Sequence, residues 1–106
     1  MVFEMEVIWS AKARITYFNV MDYIQENWTK KEMIQFSNRT EIVIQALKKN
    51  PGIFVCSNKH RNIRKAIIDK NNSLFYQVDK KNQKIYLLTF FDNRQDPKNL
   101  IFLPRV

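Results

Sequence analysis

The chain has 106 residues, with 18 Lys and Arg against 10 Asp and Glu, one His, one Cys and one Gly. This length fits a single domain over residues 1–106, and a hydrophobic content of 45% is typical of a folded globule. The single Cys excludes an intramolecular disulfide and a zinc site built from cysteines, and the single Gly excludes a glycine-rich phosphate loop. No apolar run approaches the ~20 residues of a membrane span, and two acids precede the first apolar stretch, so we expect a cytoplasmic protein with no membrane association.

The formal charge of +8 is unevenly distributed. Residues 1–35 carry four basic and five acidic residues, whereas residues 36–106 carry fourteen basic and five acidic ones. This asymmetry predicts one basic face that attracts phosphates or an acidic protein segment. A lysine-rich surface that serves solubility alone explains the composition equally well.

A strand and a helix are predicted first. The segment 3–9 begins with alternating apolar and acidic residues, which is typical of a strand with one covered face. Ser10 is a helix N-cap, and the helix that follows over residues 11–28 places apolar side chains three and four positions apart. The expected inner face consists of Ile15, Phe18, Met21, Ile24 and Trp28.

A second helix is predicted to start directly afterwards. The segment Thr29 to Glu32 is a capping box, in which the Thr hydroxyl and the Glu carboxylate satisfy free backbone N–H groups. The helix ends near Lys49, because Pro51 cannot continue it. Two helices joined so closely are expected to fold back as an antiparallel hairpin.

Three strands are predicted beyond Pro51, over residues 62–68, 73–78 and 84–91, joined by short polar connections that favour antiparallel hairpins. Residues 53–55 form either a short strand or a buried loop. The fold class is therefore α+β, in the order β-α-α-β-β-β, with an N-terminal strand and an antiparallel two-helix hairpin on one face of an antiparallel sheet.

The open face of this sheet is where we expect the functional residues. If Ile63 and Ile67 face the helices, Lys65 lies on that side near its rim, whereas Arg64 and Ala66 project onto the open face. An Arg there can grip a phosphate or carboxylate with two parallel hydrogen bonds. The alternative is an edge strand that its charges protect from aggregation. The same basic run contains Lys59, His60 and Arg61.

Arg94 is the second candidate, since it follows the last strand in a polar loop. The alternative is an ordinary surface pair with Asp92 or Asp96, which contributes only ~0–1 kcal/mol. Histidine is the residue type whose ordinary pKa lies near neutrality, but no second His and no Cys–His pair supports His60, so a solvated loop His is the simpler interpretation. The apolar segment Leu100 to Leu103 is interpreted as a cap on the core rather than as a partner-binding segment.

The whole chain resembles the RelE/ParE superfamily, the toxins of type II toxin–antitoxin modules. The resemblance covers roughly residues 3–100 and is carried by short motifs in the same order. These motifs are V-I-W-S at Val7–Ser10, A-L-K-K-N-P at Ala46–Pro51, I-R-K at Ile63–Lys65, S-L-F-Y-Q-V at Ser73–Val78 and I-Y-L-L-T-F-F-D-N-R-Q-D-P at Ile85–Pro97.

The resemblance implies a toxin that an antitoxin neutralises, with no cofactor. The antitoxin of such modules has an acidic wrapping segment, which the basic residues 36–106 suit, and a toxin–antitoxin hetero-oligomer is expected. An amphipathic helix in a groove, with or without an added strand, is the expected binding mode. ParE-like members bind DNA gyrase, whereas RelE-like members cleave mRNA on the ribosome by metal-independent chemistry. In such a nuclease the candidate catalytic residues here are Lys59, Arg61, Arg64, Lys65 and Arg94.

Two positions depart from the nuclease pattern and favour the ParE-like branch. Ser73 stands where nuclease members usually carry Arg, and residues 95–100 contain no Tyr or His to protonate the leaving oxygen. We therefore expect a protein that binds its target, with Arg64, Arg94, His60 and Arg61 as contact residues. A nuclease and an inactive module that only binds an antitoxin remain as alternatives.

Overall fold

Two helices joined by two residues form one layer of the protein. The structure is a computed structural model that describes residues 4–58 and 61–102. Helix α1 spans Ala11–Asn27, and the Ser10 hydroxyl caps it by accepting a hydrogen bond from the Ala13 amide. Helix α2 spans Lys30–Lys49 and begins with the predicted capping box of Thr29 and Glu32. It ends two residues before Pro51, so both predicted helices are confirmed.

Five strands form the second layer. They are β1 (Glu6–Trp9), β2 (Val55–Asn58), β3 (Ile63–Ile67), β4 (Asn72–Asp79) and β5 (Lys84–Asp92), and they lie side by side in the order β1-β5-β4-β3-β2. A 3₁₀ turn at Pro97–Asn99 follows.

The predicted α+β arrangement is confirmed, with two differences in the sheet. Strand β1 runs parallel to β5, so the sheet is mixed, although all other neighbouring strands are antiparallel. The stretch after Pro51 contributes the short edge strand β2, but of residues 53–55 only Val55 belongs to it, and Ile53 and Phe54 form a bend before it. After β1 the chain passes through the two helices and enters the sheet at its opposite edge, as β2. It then runs back strand by strand until β5 lies beside β1 and parallel to it.

The main core lies between the helices and one face of the sheet. Helix α2 buries Phe36, Thr40, Ile44 and Leu47, at spacings of four, four and three residues. The sheet contributes side chains from alternate positions of β3, β4 and β5. The buried members from these elements include Phe36, Ile44, Leu47, Ala66, Leu74, Tyr76, Val78, Ile85, Leu87 and Phe90.

The predicted inner face of α1 is wrong for three of its five residues. Ile15, Phe18 and Trp28 are 60%, 61% and 59% exposed. The face that packs on the core instead follows Ala13, Tyr17, Val20, Met21 and Ile24.

Two polar contacts with β5 explain why α1 has this rotation. The Ser10 hydroxyl donates to the Leu88 carbonyl at 3.0 Å, and the Thr16 hydroxyl accepts from the Phe90 amide at 2.9 Å. Both bonds lie beside an irregularity in the β4–β5 register, where Phe75 pairs with Thr89 but Tyr76 pairs with Leu87. The extra residue in β5 leaves backbone groups that α1 satisfies, and this orients the helix.

The other face of the sheet carries a second, smaller apolar cluster. Ile63, Phe75 and Leu88 are buried there, and Leu100 and Phe102 pack on them from the C-terminal segment. We call this surface the tail-covered face. The prediction that the apolar tail caps the core is confirmed for Leu100 and Phe102, which pack on this second cluster, but it is wrong for Ile101, which is 58% exposed, and Leu103 lies outside the described residues. Neither described helix combines the length and the apolar character that crossing a membrane requires.

Candidate target-binding surfaces

Arg64 lies on the helix side of the sheet, which contradicts the predicted orientation of β3. Arg64 pairs directly with Tyr76, and both Tyr76 and Ala66 belong to the core under the helices. The residues that face the opposite side are Ile63, which is buried in the tail-covered face, and Lys65. The side chains of β3 therefore face the opposite sides from those predicted, and neither Arg64 nor Ala66 projects onto an open face.

The Arg64 side chain is held at the β2 edge of the sheet. Its Nη1 donates to the Phe54 carbonyl oxygen at 2.7 Å, and the neighbouring Tyr76 hydroxyl donates to the Pro51 carbonyl at 2.8 Å. Together these bonds anchor the connection between α2 and β2 to the sheet. Burial raises the pKa of Tyr76 to about 12, although the positive charge of Arg64 opposes this shift.

We expect Tyr76→Phe to change the alkaline stability of the protein. At neutral pH the free energy of unfolding of the variant should be about 1 kcal/mol lower than that of the wild type, because the Pro51 carbonyl loses its hydrogen-bond donor. The pKa of Tyr76 in the folded protein lies above the unfolded value of 10.0. The contribution of the Tyr76 hydroxyl to the free energy of unfolding is therefore complete below pH 10 and declines as the pH rises toward 12. Between about pH 8 and about pH 10.5 the free energy of unfolding of the wild type should fall by ~0.8 kcal/mol more than that of Tyr76→Phe.

Urea denaturation of both proteins across this pH range measures the difference. The lysines and the other tyrosines are common to both proteins, so their titration cancels in the comparison. A constant gap between the two stability curves would contradict the raised pKa.

Arg94 lies at the opposite end of the protein, after β5. Its Nε and Nη2 donate to the two carboxylate oxygens of Asp92 at 2.9 and 2.8 Å, and its guanidinium carbon lies 5.5 Å from the Tyr23 ring centroid. Hydrogen bonding from Arg94 lowers the pKa of Asp92, and the same bond raises the pKa of Arg94. The predicted alternative of a pair with Asp92 is thus present, and it fixes the direction of the exposed guanidinium.

The structure does not bring Arg64 and Arg94 together. Arg64 lines a small cleft of about 280 Å³ with Pro51, Gly52 and Lys80, whereas Arg94 lines a different, larger cleft. A single site that uses both arginines is therefore not formed within the described residues.

Arg61 and Lys65 are the described candidates that lie on the tail-covered face. The Arg61 guanidinium is 5.8 Å from the Phe102 ring centroid, and the Lys65 ammonium is 5.9 Å from that of Phe75. Gln77 lies beside them, with its Nε2 bonded to the Arg61 carbonyl. Lys59 and His60 lie outside the described residues, so their predicted roles remain predictions.

Ser73, which replaces the expected nuclease arginine, is completely buried. Its hydroxyl donates to the Asn93 side chain at 2.9 Å, which ties β4 to the loop that carries Arg94. The position thus serves the internal structure of the loop. Within residues 4–58 and 61–102, no three His, Cys, Asp or Glu side chains are grouped so that they could hold a metal ion.

The larger cleft was not expected from the sequence. It has a volume of about 740 Å³ and lies between the tip of the helical hairpin, the β3–β4 turn and the end of β5. We call it the hairpin cleft. Its apolar floor consists of Val20, Ile24, Phe36 and Phe90, and its aromatic rim consists of Tyr23 and Trp28. The charged residues that line it are Glu32, Arg39, Asp69, Lys70, Asp92 and Arg94.

Comparison with solved structures finds this layout of a helical hairpin on one face of a mixed five-stranded sheet in chains of two toxin–antitoxin systems, and the likeness is one of fold. A chain of the chromosomal ParDE TA system from P. aeruginosa aligns with a TM-score of 0.69 and 12% identity, over 84% of this chain and 96% of that chain. A chain of the RelBE2 toxin–antitoxin complex from Mycobacterium tuberculosis aligns with a TM-score of 0.59 and 12% identity, over 85% and 99% respectively. No protein-family model matches the sequence, and no curated protein matches it. The preference for the ParE-like branch stays a prediction.

Proposed function

We propose that this chain is the toxin of a type II toxin–antitoxin module and that it acts in the cytoplasm. The observation that carries the proposal is the common fold with the ParDE system over 84% of the chain. In this role it inhibits growth by binding an essential target, and a cognate antitoxin neutralises it within a hetero-oligomer. The excess of basic residues in 36–106 suits an acidic partner.

The target favoured by the site geometry is DNA gyrase, as in the ParE-like branch. Cleavage of RNA requires a base, cations and an acid that converge on one phosphate. Here Arg64 and Arg94 line separate clefts, and Ser73 is buried where nucleases carry a cation. This dispersion supports a protein that acts by binding, with Arg94 as an exposed contact residue.

One observation favours the second candidate, a ribosome-dependent mRNA endoribonuclease. Arg61 and Lys65 lie on the same face of the sheet, on either side of the aromatic pair Phe75 and Phe102. Cations beside an aromatic ring that is partly exposed, here Phe102, are typical of surfaces that bind single-stranded nucleic acid.

Induced expression in growing bacterial cells separates these functions. A gyrase-binding toxin produces double-strand breaks and a DNA-damage response while mRNA stays intact. A nuclease produces codon-phased mRNA ends within minutes, and an inactive antitoxin-binding module produces neither effect. Codon-phased ends would overturn the gyrase proposal.

The variant Arg94→Ala is expected to relieve growth inhibition without unfolding the protein. Its pair with Asp92 is exposed, so the loss of stability should stay within about 1 kcal/mol. The exposed helical residue Arg14 provides the control, because Arg14→Ala removes the same charge away from both clefts. Growth curves and thermal melts measure both effects, and equal growth inhibition by Arg94→Ala and the wild type would remove Arg94 from the contact residues.

A further inference from the structure

The C-terminal segment 100–102 lies on the tail-covered face without joining the sheet. Leu100 and Phe102 are half-buried against the apolar cluster, whereas Ile101 between them is 58% exposed. The Lys12 ammonium also holds the segment by donating to the Ile101 carbonyl at 2.6 Å. Because the segment belongs to none of the five strands, it can leave the face without breaking a strand ladder. Such a segment opens at a lower free energy than the sheet beneath it.

The Phe102 ring contacts both an aromatic side chain and a cation of this face. Its centroid lies 5.3 Å from that of Phe75, and the Arg61 guanidinium carbon lies 5.8 Å from it. The Lys65 ammonium is 5.9 Å from the Phe75 centroid. Proteins that bind single strands stack bases on aromatic rings and pair the phosphates with nearby cations. The Phe102 ring therefore lies where a stacked base would lie.

A buried acceptor next to Phe75 has no hydrogen-bond partner. Gln77 follows Phe75 by two residues in β4, so both side chains lie on the same side of the strand. The Gln77 Nε2 donates to the Arg61 carbonyl at 2.7 Å, but the buried Oε1 accepts from no residue that the structure describes. Most buried polar side-chain atoms in folded proteins have a partner. This oxygen can accept from an N–H group that reaches the face, and the amino groups of adenine, cytosine and guanine are such donors.

The two cations beside these rings are not neutralised by the acids on the same side of the sheet. Strand alternation places Glu6 and Asp79 on this side, at the start of β1 and the end of β4. Glu6 lies three strands away from β3, and Asp79 accepts hydrogen bonds from Asn82. Among residues 4–58 and 61–102, neither Arg61 nor Lys65 forms an ion pair. Both are therefore available to phosphates.

We propose that the segment 100–102 is an autoinhibitory strap, in which Phe102 takes the place of a nucleobase on Phe75. Single-stranded nucleic acid binds the tail-covered face only after the strap has moved away, with its bases on Phe75 and its phosphates on Arg61 and Lys65. The inference goes beyond the proposed function, because neither gyrase binding nor neutralisation requires this ligand or this strap. The measured Kd is the Kd of the open form divided by the fraction of molecules that are open.

The probe is a labelled single strand of about 12 adenylates, used as DNA and as RNA, and fluorescence anisotropy measures its Kd. The double variant Leu100→Ser with Phe102→Ser should lower the Kd about tenfold or more, because the strap no longer competes for the face. Ile101→Ser keeps both packed side chains and the bond from Lys12, so its Kd should stay within about twofold of the wild-type value. The form of the strand with the lower Kd identifies the source of the ligand.

Lys12→Ala tests the strap without changing its apolar packing. The substitution removes the ammonium that holds the Ile101 carbonyl, so the strap opens more often and the Kd should fall about threefold. A surface that binds through charge alone predicts a rise instead, because the variant has lost a cation. Arg14→Ala is the matched control, since it removes the same charge from the exposed side of α1. Its Kd should be unchanged or higher.

Two comparisons in the background of the double variant test the face itself. Lys65→Ala should raise the Kd about fivefold, whereas Lys31→Ala, at the exposed start of α2, should change it at most about twofold. A strand of abasic sites should bind about tenfold more weakly than the adenylate strand, because stacking on Phe75 is lost. Circular dichroism confirms that each variant is folded.

Three results would overturn the strap. The first is a folded double variant that binds no more tightly than the wild type. The second is an equal change of the Kd in Lys12→Ala and Arg14→Ala, which decides alone if the double variant does not fold. The third is equal affinity for the abasic and adenylate strands, because Phe102 would then not occupy the place of a base. None of these measurements uses growth arrest or an antitoxin, so a negative result leaves the proposed toxin function standing.

Discussion

Replacing Phe36 with alanine is expected to lower the free energy of unfolding by about 3–4 kcal/mol, the largest loss we predict for a single substitution. Phe36 is 2% exposed and belongs to a group of packed aromatic side chains. Its ring centroid is 5.7 Å from that of Tyr17 and 6.2 Å from that of Phe90. The substitution removes these contacts and the burial of the ring together. Because the resulting space opens into the hairpin cleft, water can enter, which keeps the loss below the upper limit for such changes.

Urea denaturation measures this loss. For a two-state protein of this size the slope is about 1–2 kcal/mol per M, so the midpoint should fall by about 1.5–4 M. Phe18→Ala is the matched control, since it removes the same side chain from a position that is 61% exposed and should cost at most about 1 kcal/mol. A similar loss in the two variants would show that the burial of Phe36 contributes little to the stability of the protein.

The helical hairpin and the strand meander were predictable because local signals determine them. The capping box at Thr29 and Glu32 and the break at Pro51 act within a few residues of the backbone that they terminate. The observed bounds of α2 and of strands β3, β4 and β5 accordingly lie within one residue of the predicted ones.

The faces of two elements were not predictable from their own sequences. In α1, apolar residues occupy nearly every direction around the helix, so spacing alone selects Ile15 and Phe18 as readily as Ala13 and Tyr17. The bonds from Ser10 and Thr16 to β5 decide the rotation, and they join residues that are 78 and 74 positions apart. No local pattern encodes such contacts.

The prediction of which β3 side chains face the helices failed for a related reason. A strand with one solvated face alternates clearly, but the tail covers part of the second face, so Ile63 is buried on that side while Ala66 is buried on the other. In β4 the first five residues are all buried, and the alternation disappears. Arg64 was consequently assigned to the wrong face, and the hairpin cleft was missed because Trp28 was assigned to the core.

The second large loss of stability that we predict concerns the C-terminal tail. The double variant Leu100→Ser with Phe102→Ser is expected to lower the free energy of unfolding by about 2–3 kcal/mol, since two half-buried apolar side chains lose their contacts. The rings of Phe75 and Phe102 lie 5.3 Å apart, and both Leu100 and Phe102 pack on the cluster that contains Ile63. Their removal should also uncover Phe75, which the dye ANS detects as new apolar surface.

Ile101→Ser separates packing by the tail from the mere presence of the tail. Ile101 lies between the two packed residues but is 58% exposed, and its backbone carbonyl accepts a hydrogen bond from the Lys12 ammonium at 2.6 Å, which the substitution leaves intact. We therefore expect a change within about 0.5 kcal/mol and no ANS signal. If the double variant is as stable as Ile101→Ser, the tail is not a structural cover. The tail-covered face, with Arg61 and Lys65 at its margin, would then be open to a target, and the nuclease alternative would gain support over gyrase binding.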